Sequence, residues 1–268
     1  MTNGRLSKDF PLAPRSFIVN SVPFNIKTYS FRWGATTLNM EKNLESVRER
    51  ISKALAVAGR KAEDLTMLAV TKYINAGEIK KLVHLGIRDF GENRIQDALN
   101  KQEELSTLTL TSNLNWHYIG SLQTNKARQA VANFDLIHSL DRFNLATELN
   151  RQGVMQGKKV PVLIQVNISG EVTKHGLAPD EVIDFYQKIM RMPGLTLSGL
   201  MTMAPYMSDP QGTRPVFQKL RILFERIKQE FNPGPQWREL SMGMSNDFEV
   251  AIEEGATIVR IGSAIFGS

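Results

Sequence analysis

Eight short and almost wholly apolar runs constrain this chain more than any other feature. They lie at residues 65–70, 87–90, 116–119, 136–140, 160–167, 195–203, 239–242 and 257–261. A strand with one wet face alternates apolar and polar residues, whereas a strand covered on both faces reads as a continuous apolar run. Most of the runs are separated by stretches with helical spacing. The first such stretch, at 42–58, carries Leu44, Val47, Ile51, Leu55 and Val57 at helical spacing. Strand and helix in alternation predict a parallel α/β sheet buried on both sides. Eight units predict a closed (β/α)8 TIM barrel, with an open doubly wound sheet as the alternative. A chain of 268 residues, 42% of them hydrophobic, can fill one such core. No Pro-, Gly- and Ser-rich stretch divides the part after residue 40, so 41–268 is read as one domain.

Residues 1–40 read differently, with scattered aromatics, three prolines and no sustained period. Arg5, Lys8, Arg15, Lys27 and Arg32 face Asp9 alone, so this segment supplies 5 − 1 = 4 of the net charge of +6. The remainder is close to balanced, and basic pairs such as Lys80 and Lys81 fall on a helical pattern, as solvated faces do. Nucleic acid is therefore not expected as a partner. The segment is expected to be an extension to the domain: a disordered tail, a transit-like leader, or the product of a start placed upstream of an initiator at Met40. No charge-free run of about 18 apolar residues occurs, so no membrane span is expected. The absence of cysteine excludes disulfides, thiolate metal sites and cysteine nucleophiles, and it fits a reducing, cytoplasmic setting.

A barrel of this kind binds its ligand at the carboxyl ends of the strands, so the residues that close each apolar run are the ones to inspect. The first run closes on Lys72. An ammonium is expensive to bury unpaired, and a lysine at a strand mouth is the residue type that forms imines with carbonyl ligands, though it can equally lean out to solvent. The last run places Arg260 among apolar residues, where, if it points into the barrel, it must meet a carboxylate, a phosphate or an acceptor on a ligand. Behind it, Gly262-Ser263-Ala264-Ile265-Phe266-Gly267 offers a turn of small residues with exposed backbone N–H groups. After the seventh run, Ser241-Met-Gly-Met-Ser-Asn-Asp247 offers another, leading into a helix. Loops after strands seven and eight are where barrels commonly hold phosphate. Asn93, after the second run, could meet a ligand's phenolic oxygen or cap the following helix. His117, between Trp116 and Tyr118, reads as a hydrogen-bonded core residue. His84, His117, His138 and His175 show no metal spacing, and no Gly-x-Ser-x-Gly elbow or Walker loop is present.

Several of these segments together resemble a known family. They are Ala69-Val-Thr-Lys72, Phe90-Gly-Glu-Asn-Arg94, Trp116-His-Tyr-Ile-Gly-Ser-Leu-Gln-Thr-Asn-Lys126, Glu171-Val-Thr-Lys-His-Gly176, Gly199-Leu-Met-Thr-Met203, Leu240-Ser-Met-Gly-Met-Ser245 and Val259-Arg-Ile-Gly-Ser-Ala-Ile-Phe-Gly267. In this order they resemble the YggS/PROSC family of pyridoxal 5'-phosphate (PLP) homeostasis proteins, whose fold is the alanine racemase N-terminal barrel. The resemblance implies PLP held covalently as a Schiff base on Lys72, with Arg260 against the pyridine nitrogen. It implies that Ser241 and Met242 with Gly262 and Ser263 hold the phosphate, and that Asn93 lies near the ring. It implies no catalytic residue and no metal. Tyr73 departs from the pattern, in which a smaller or variable residue is expected, and so does the extension before Met40.

PLP enzymes that make α-carbanions use a protonated pyridine as an electron sink, most simply by pairing its nitrogen with a carboxylate. An arginine there cannot accept a proton and favours the unprotonated ring. Racemases of this barrel type tolerate that, but they need a second acid/base from an added C-terminal β-domain and a partner subunit. The sequence as given ends at Ser268 without such a domain, so the expectation is a monomeric PLP carrier serving vitamin B6 homeostasis, with apo PLP-dependent enzymes as recipients. One alternative is a PLP enzyme such as an amino-acid racemase, with Lys72 also moving protons and His117 or Tyr118 assisting. The other is a barrel for a different phosphorylated metabolite, with Lys72 in an ion pair and no imine.

Overall fold

The structure, a computed structural model, describes residues 35–106, 113–171 and 173–267. Eight parallel strands close a barrel in chain order: β1 (Thr66–Val70), β2 (Asp89–Glu92), β3 (Asn115–Tyr118), β4 (Leu136–Leu140), β5 (Val160–Gln165), β6 (Leu195–Met201), β7 (Glu239–Met244) and β8 (Ile258–Ile261). Closure is made by β8 pairing back onto β1, from Thr66 opposite Ile258 to Ala69 opposite Ile261. The open-sheet alternative falls with that pairing. Each strand overlaps the apolar run that anticipates it, but β7 continues to Met244, past the expected end at Met242.

Around the strands lie α1 (Ala35–Val57), α2 (Ala76–His84), α3 (Ile95–Ser106), α4 (Ala127–Asn133), α5 (Phe143–Met155), α6 (Val182–Ile189), α7 (Arg214–Phe231), α8 (Phe248–Glu253) and the single turn α9 (Ser263–Phe266). The expected start of the first helix is too late. It begins at Ala35, and Met40 is buried in the core with Leu44 and Val47. A boundary drawn after residue 40 therefore falls within a helix. The expectations for residues 1–34 lie outside the described residues.

The core has two parts because each strand presents alternate residues to opposite faces. Outward residues pack on the helices, as α7 illustrates. Phe217, Leu220, Leu223, Phe224 and Ile227 recur at three- and four-residue steps, are buried, and meet Trp237, whose ring stacks on Phe224. Each such side chain removed from water contributes about 1.5–3 kcal/mol, which is what holds the helix to the sheet. Inward residues are fewer. Leu68, Leu136, Leu163, Met201 and Ile258 form an apolar plug inside the barrel. Two residues on from Leu136 and Ile258, on the same strand faces, His138 and Arg260 are buried polar groups that the plug supports from below. Among the described residues no helix is long and apolar enough to cross a membrane.

Candidate functional site

The carboxyl ends of the strands surround a cleft of about 1070 Å³. Lys72, Asn93, Arg260, Gly262 and Ser263 all line it, so five residues singled out from scattered segments share one cavity.

Lys72 lies just beyond β1 in an exposed turn, and α2 begins directly after that turn, capped by the Asn75 side chain accepting from the Glu78 N–H at 2.9 Å. The Lys72 ammonium sits over the Tyr73 ring, 5.0 Å from its centroid. The unexpected tyrosine thus has a local role, since an aromatic face attracts an exposed cation by about 0.5–1 kcal/mol. The residue before the lysine is held hard. Thr71 is fully buried; its hydroxyl donates to Glu92 Oε1 at 2.6 Å. Lys101, from α3, donates to the same oxygen at 2.7 Å and to the Thr71 carbonyl at 2.8 Å. Glu92 Oε2 is buried with no hydrogen-bond partner among the described residues, and burial pushes the Glu92 carboxyl up despite the bonds from Lys101 and Thr71. This clamp fixes the backbone on which Lys72 stands.

Arg260 is 4% exposed and borders the cleft. It donates to Ser241 Oγ at 2.6 Å and to the Thr202 carbonyl at 2.8 Å, and among the described residues it makes no ion pair. Burial lowers its pKa to about 10, partly offset by Asp247. It therefore remains a cation at neutral pH, with N–H groups left over for the cleft. The structural ion pair that its sequence position allowed is not what the barrel holds.

Ser241 and Met242 stand elsewhere than the sequence suggested. Because β7 runs on to Met244, both are fully buried below the cleft. Met242 packs in the outer core, and the Ser241 hydroxyl is engaged by Arg260 and by His138, whose Nδ1 is 2.9 Å away. The longer strand instead brings Met244, Ser245 and Asn246 to the cavity wall. Ser245, which sequence reasoning passed over within the right turn, accepts hydrogen bonds from the N–H groups of Gly262 and Ala264, each at 3.2 Å. It ties the seventh loop to the eighth. Gly243, within the extended β7, has φ of +90°, and a Cβ there would lie 2.5 Å from the Ala251 Cβ, so no other residue fits.

Asn93 borders the cavity, and its side chain caps no helix among the described residues. Its backbone is pressed by the β3 loop, since a Cβ on Gly120 would come within 2.4 Å of the Asn93 carbonyl oxygen. Tyr118 hydroxyl donates to that same carbonyl at 3.3 Å and to the Ser121 carbonyl at 3.2 Å, from the buried outer face of β3. His117 lies inside the barrel, with Nδ1 3.0 Å from His138 Nε2 and Nε2 3.5 Å from Asp89 Oδ1. It is a hydrogen-bonded core residue, as expected, but it pairs with a second histidine that sequence spacing did not disclose. Neither His117 nor Tyr118 lines the cleft.

Residues 39–268 match the family "Alanine racemase, N-terminal domain". A pyridoxal phosphate homeostasis protein of Aquifex aeolicus is 43% identical over 230 residues, which cover 86% of this chain and 98% of that protein. One from Escherichia coli is 39% identical over 226 residues, covering 84% and 95%. PipY of Synechococcus elongatus, solved with PLP bound, superposes with a TM-score of 0.72 at 33% identity, covering 85% of this chain and all of that one. An alanine racemase of Clostridium difficile shares the fold at 15% identity, with a TM-score of 0.66 over 85% of this chain and 58% of its own. The chain belongs to the family of pyridoxal phosphate homeostasis proteins, built on the alanine racemase N-terminal barrel.

Proposed function

We propose that this protein binds PLP, anchors it covalently through the amine of Lys72, and serves to store and deliver the cofactor rather than to turn over a substrate. The observation that carries the reading is the donor set of one cavity. An amine at Lys72, a buried guanidinium at Arg260 and a glycine–serine turn at Gly262 and Ser263 suit, in that order, an aldehyde, a ring nitrogen and a phosphate. The name borne by the relatives and the PLP in PipY support the same ligand.

PLP, when bound, supplies an aldehyde for an amine and a ring that can draw electrons from an amino acid's α-carbon. The remaining parts belong to the chain. The clamp of Glu92, Lys101 and Thr71 presents Lys72 at the rim, where Tyr73 receives its ammonium. Ser263 lines the cavity beside the turn that Ser245 holds in place through the Gly262 and Ala264 N–H groups, and its hydroxyl is available to a phosphate. The Asn93 side chain, not used as a cap, is available to a phenolic oxygen. Arg260 can only donate, so it favours an unprotonated ring nitrogen and weakens the electron sink. That property suits holding the cofactor better than turnover. His117 and Tyr118, the acid/base candidates of the racemase alternative, are not among the residues that line the cleft.

The test is transfer. Protein loaded with PLP and freed of unbound cofactor is mixed with an apo PLP-dependent enzyme, and in parallel with L-amino acids in deuterated water. Recovery of the enzyme's activity without α-deuterium incorporation is expected. Incorporation faster than with free PLP would overturn the carrier reading, and failure to restore activity would overturn delivery.

A further inference from the structure

Beneath the cleft the barrel holds a row of buried polar side chains that cofactor binding alone does not account for. It runs from Arg260 on β8 to Ser241 on β7, His138 on β4, His117 on β3 and Asp89 at the start of β2. Ser241 and His138 are fully buried, His117 is 3% exposed and Asp89 7%, so water cannot substitute for the contacts they make with one another.

Donor counting fixes the direction of the row. Arg260 is a donor only, so Ser241 Oγ accepts from it. The one hydroxyl proton of Ser241 then has His138 Nδ1 as its acceptor, which requires that nitrogen to be bare. Burial, with the Arg260 guanidinium nearby, holds the His138 pKa well below the usual range, so at neutral pH its ring carries one proton, on Nε2. That N–H donates to His117 Nδ1, which leaves the His117 proton on Nε2, the nitrogen turned towards the Asp89 carboxylate. The reverse order would leave the Ser241 hydroxyl proton without an acceptor among the described residues. Asp89 is itself held by Asn115, which donates to Oδ1 at 2.9 Å.

A buried guanidinium without an ion pair is costly, and aligned hydrogen bonds in a low-dielectric interior polarise one another. We infer that Ser241, His138, His117 and Asp89 are positioning residues: a one-way row of hydrogen bonds from Arg260 to His117, closed by the Asp89 carboxylate 3.5 Å from His117 Nε2, that fixes the Arg260 guanidinium at the cleft and through it sets the electronic state of the bound cofactor. The carboxylate of Asp89 completes the row at its far end, so its charge is felt at the ring without touching it. The inference rests on the functional reading above, in which Arg260 meets the ring nitrogen.

Two measurements test it. In the cofactor-free protein, 15N spectra of labelled histidine at neutral pH are expected to show His138 and His117 as neutral Nε2–H tautomers. A cationic His138, or one protonated on Nδ1, overturns the relay, and no variant is needed to see it. With PLP added, the absorbance titration of the imine is compared between the wild type, Asp89→Asn and His138→Leu. A displaced titration midpoint in both variants is expected, with PLP binding weakened about tenfold, the loss associated with one hydrogen bond to a charged group. Asp89→Asn keeps the shape of the site, so an unchanged midpoint there reduces the row to packing and overturns the inference even if His138→Leu does not fold. If the wild type forms no imine at all, the functional reading fails, and this inference fails with it in a way that the apo histidine spectra keep distinct.

Discussion

Lys101→Met should be the most damaging change outside the cleft. Lys101 supplies two of the three bonds that tie Thr71 and Glu92 together, and the Glu92 side chain is wholly enclosed, with Oε2 already lacking a partner among the described residues. Methionine keeps the volume but removes the cation, leaving a buried carboxylate with only the Thr71 hydroxyl. Breaking a buried pair in this way costs about 3–5 kcal/mol. At about 2–4 °C per kcal/mol for a domain approaching this size, the midpoint should fall by about 6–20 °C. Linkage sets the pH dependence. The folded Glu92 carboxyl is raised by burial, so as pH climbs the unfolded chain loses this proton first. The resulting stability is fully present below the unfolded value, about 4, and is lost as pH rises through the folded one. Removing Lys101 takes away the interactions that lower the folded value and widens that window. Urea denaturation at pH 5 and pH 8 should show the variant further below wild type at pH 8. Adding Glu92→Gln should restore more than half of the loss. A loss under about 1 kcal/mol, equal at the two pH values, would refute the argument that this is a desolvated pair clamping the base of Lys72.

Two further outcomes follow from the same geometry. Ser245→Ala removes the acceptor of two backbone N–H groups and should weaken PLP binding about tenfold with little change in thermal midpoint, as read by fluorescence titration and calorimetry. Gly120→Ala sets a methyl against the Asn93 backbone and should destabilise the fold by about 1–3 kcal/mol while moving Asn93, so both denaturation and PLP affinity should change; an unaffected affinity would detach Asn93 from the ligand.

Most of the barrel was legible because its strands are covered on both faces and therefore read as apolar runs whatever their neighbours. Boundaries were less so. Glycine at 243 looks like a turn, yet Met242 and Met244 flank it within one strand, and that extension decided which serine reaches the cleft. Met40 looked like a start because the periodic pattern is clean only beyond it, while its burial depends on contacts that no local pattern shows. Lys72, Arg260, Gly262 and Ser263 could be singled out because each closes or follows an apolar run. The Asp89 to Arg260 row could not, because its members come from five separate strands and touch only once the sheet has closed. Glu92 and Lys101 escaped for the same reason, as a pair joining a strand to the helix after it.

The most direct test of the account is the intact mass of the protein after incubation with PLP and reduction with borohydride, beside Lys72→Ala treated in the same way. A single pyridoxyl-phosphate adduct on the wild type, absent from the variant, is the result predicted. No adduct on the wild type, or an adduct that survives in the variant, would contradict the assignment of Lys72 as anchor and return the cleft to some other phosphorylated ligand.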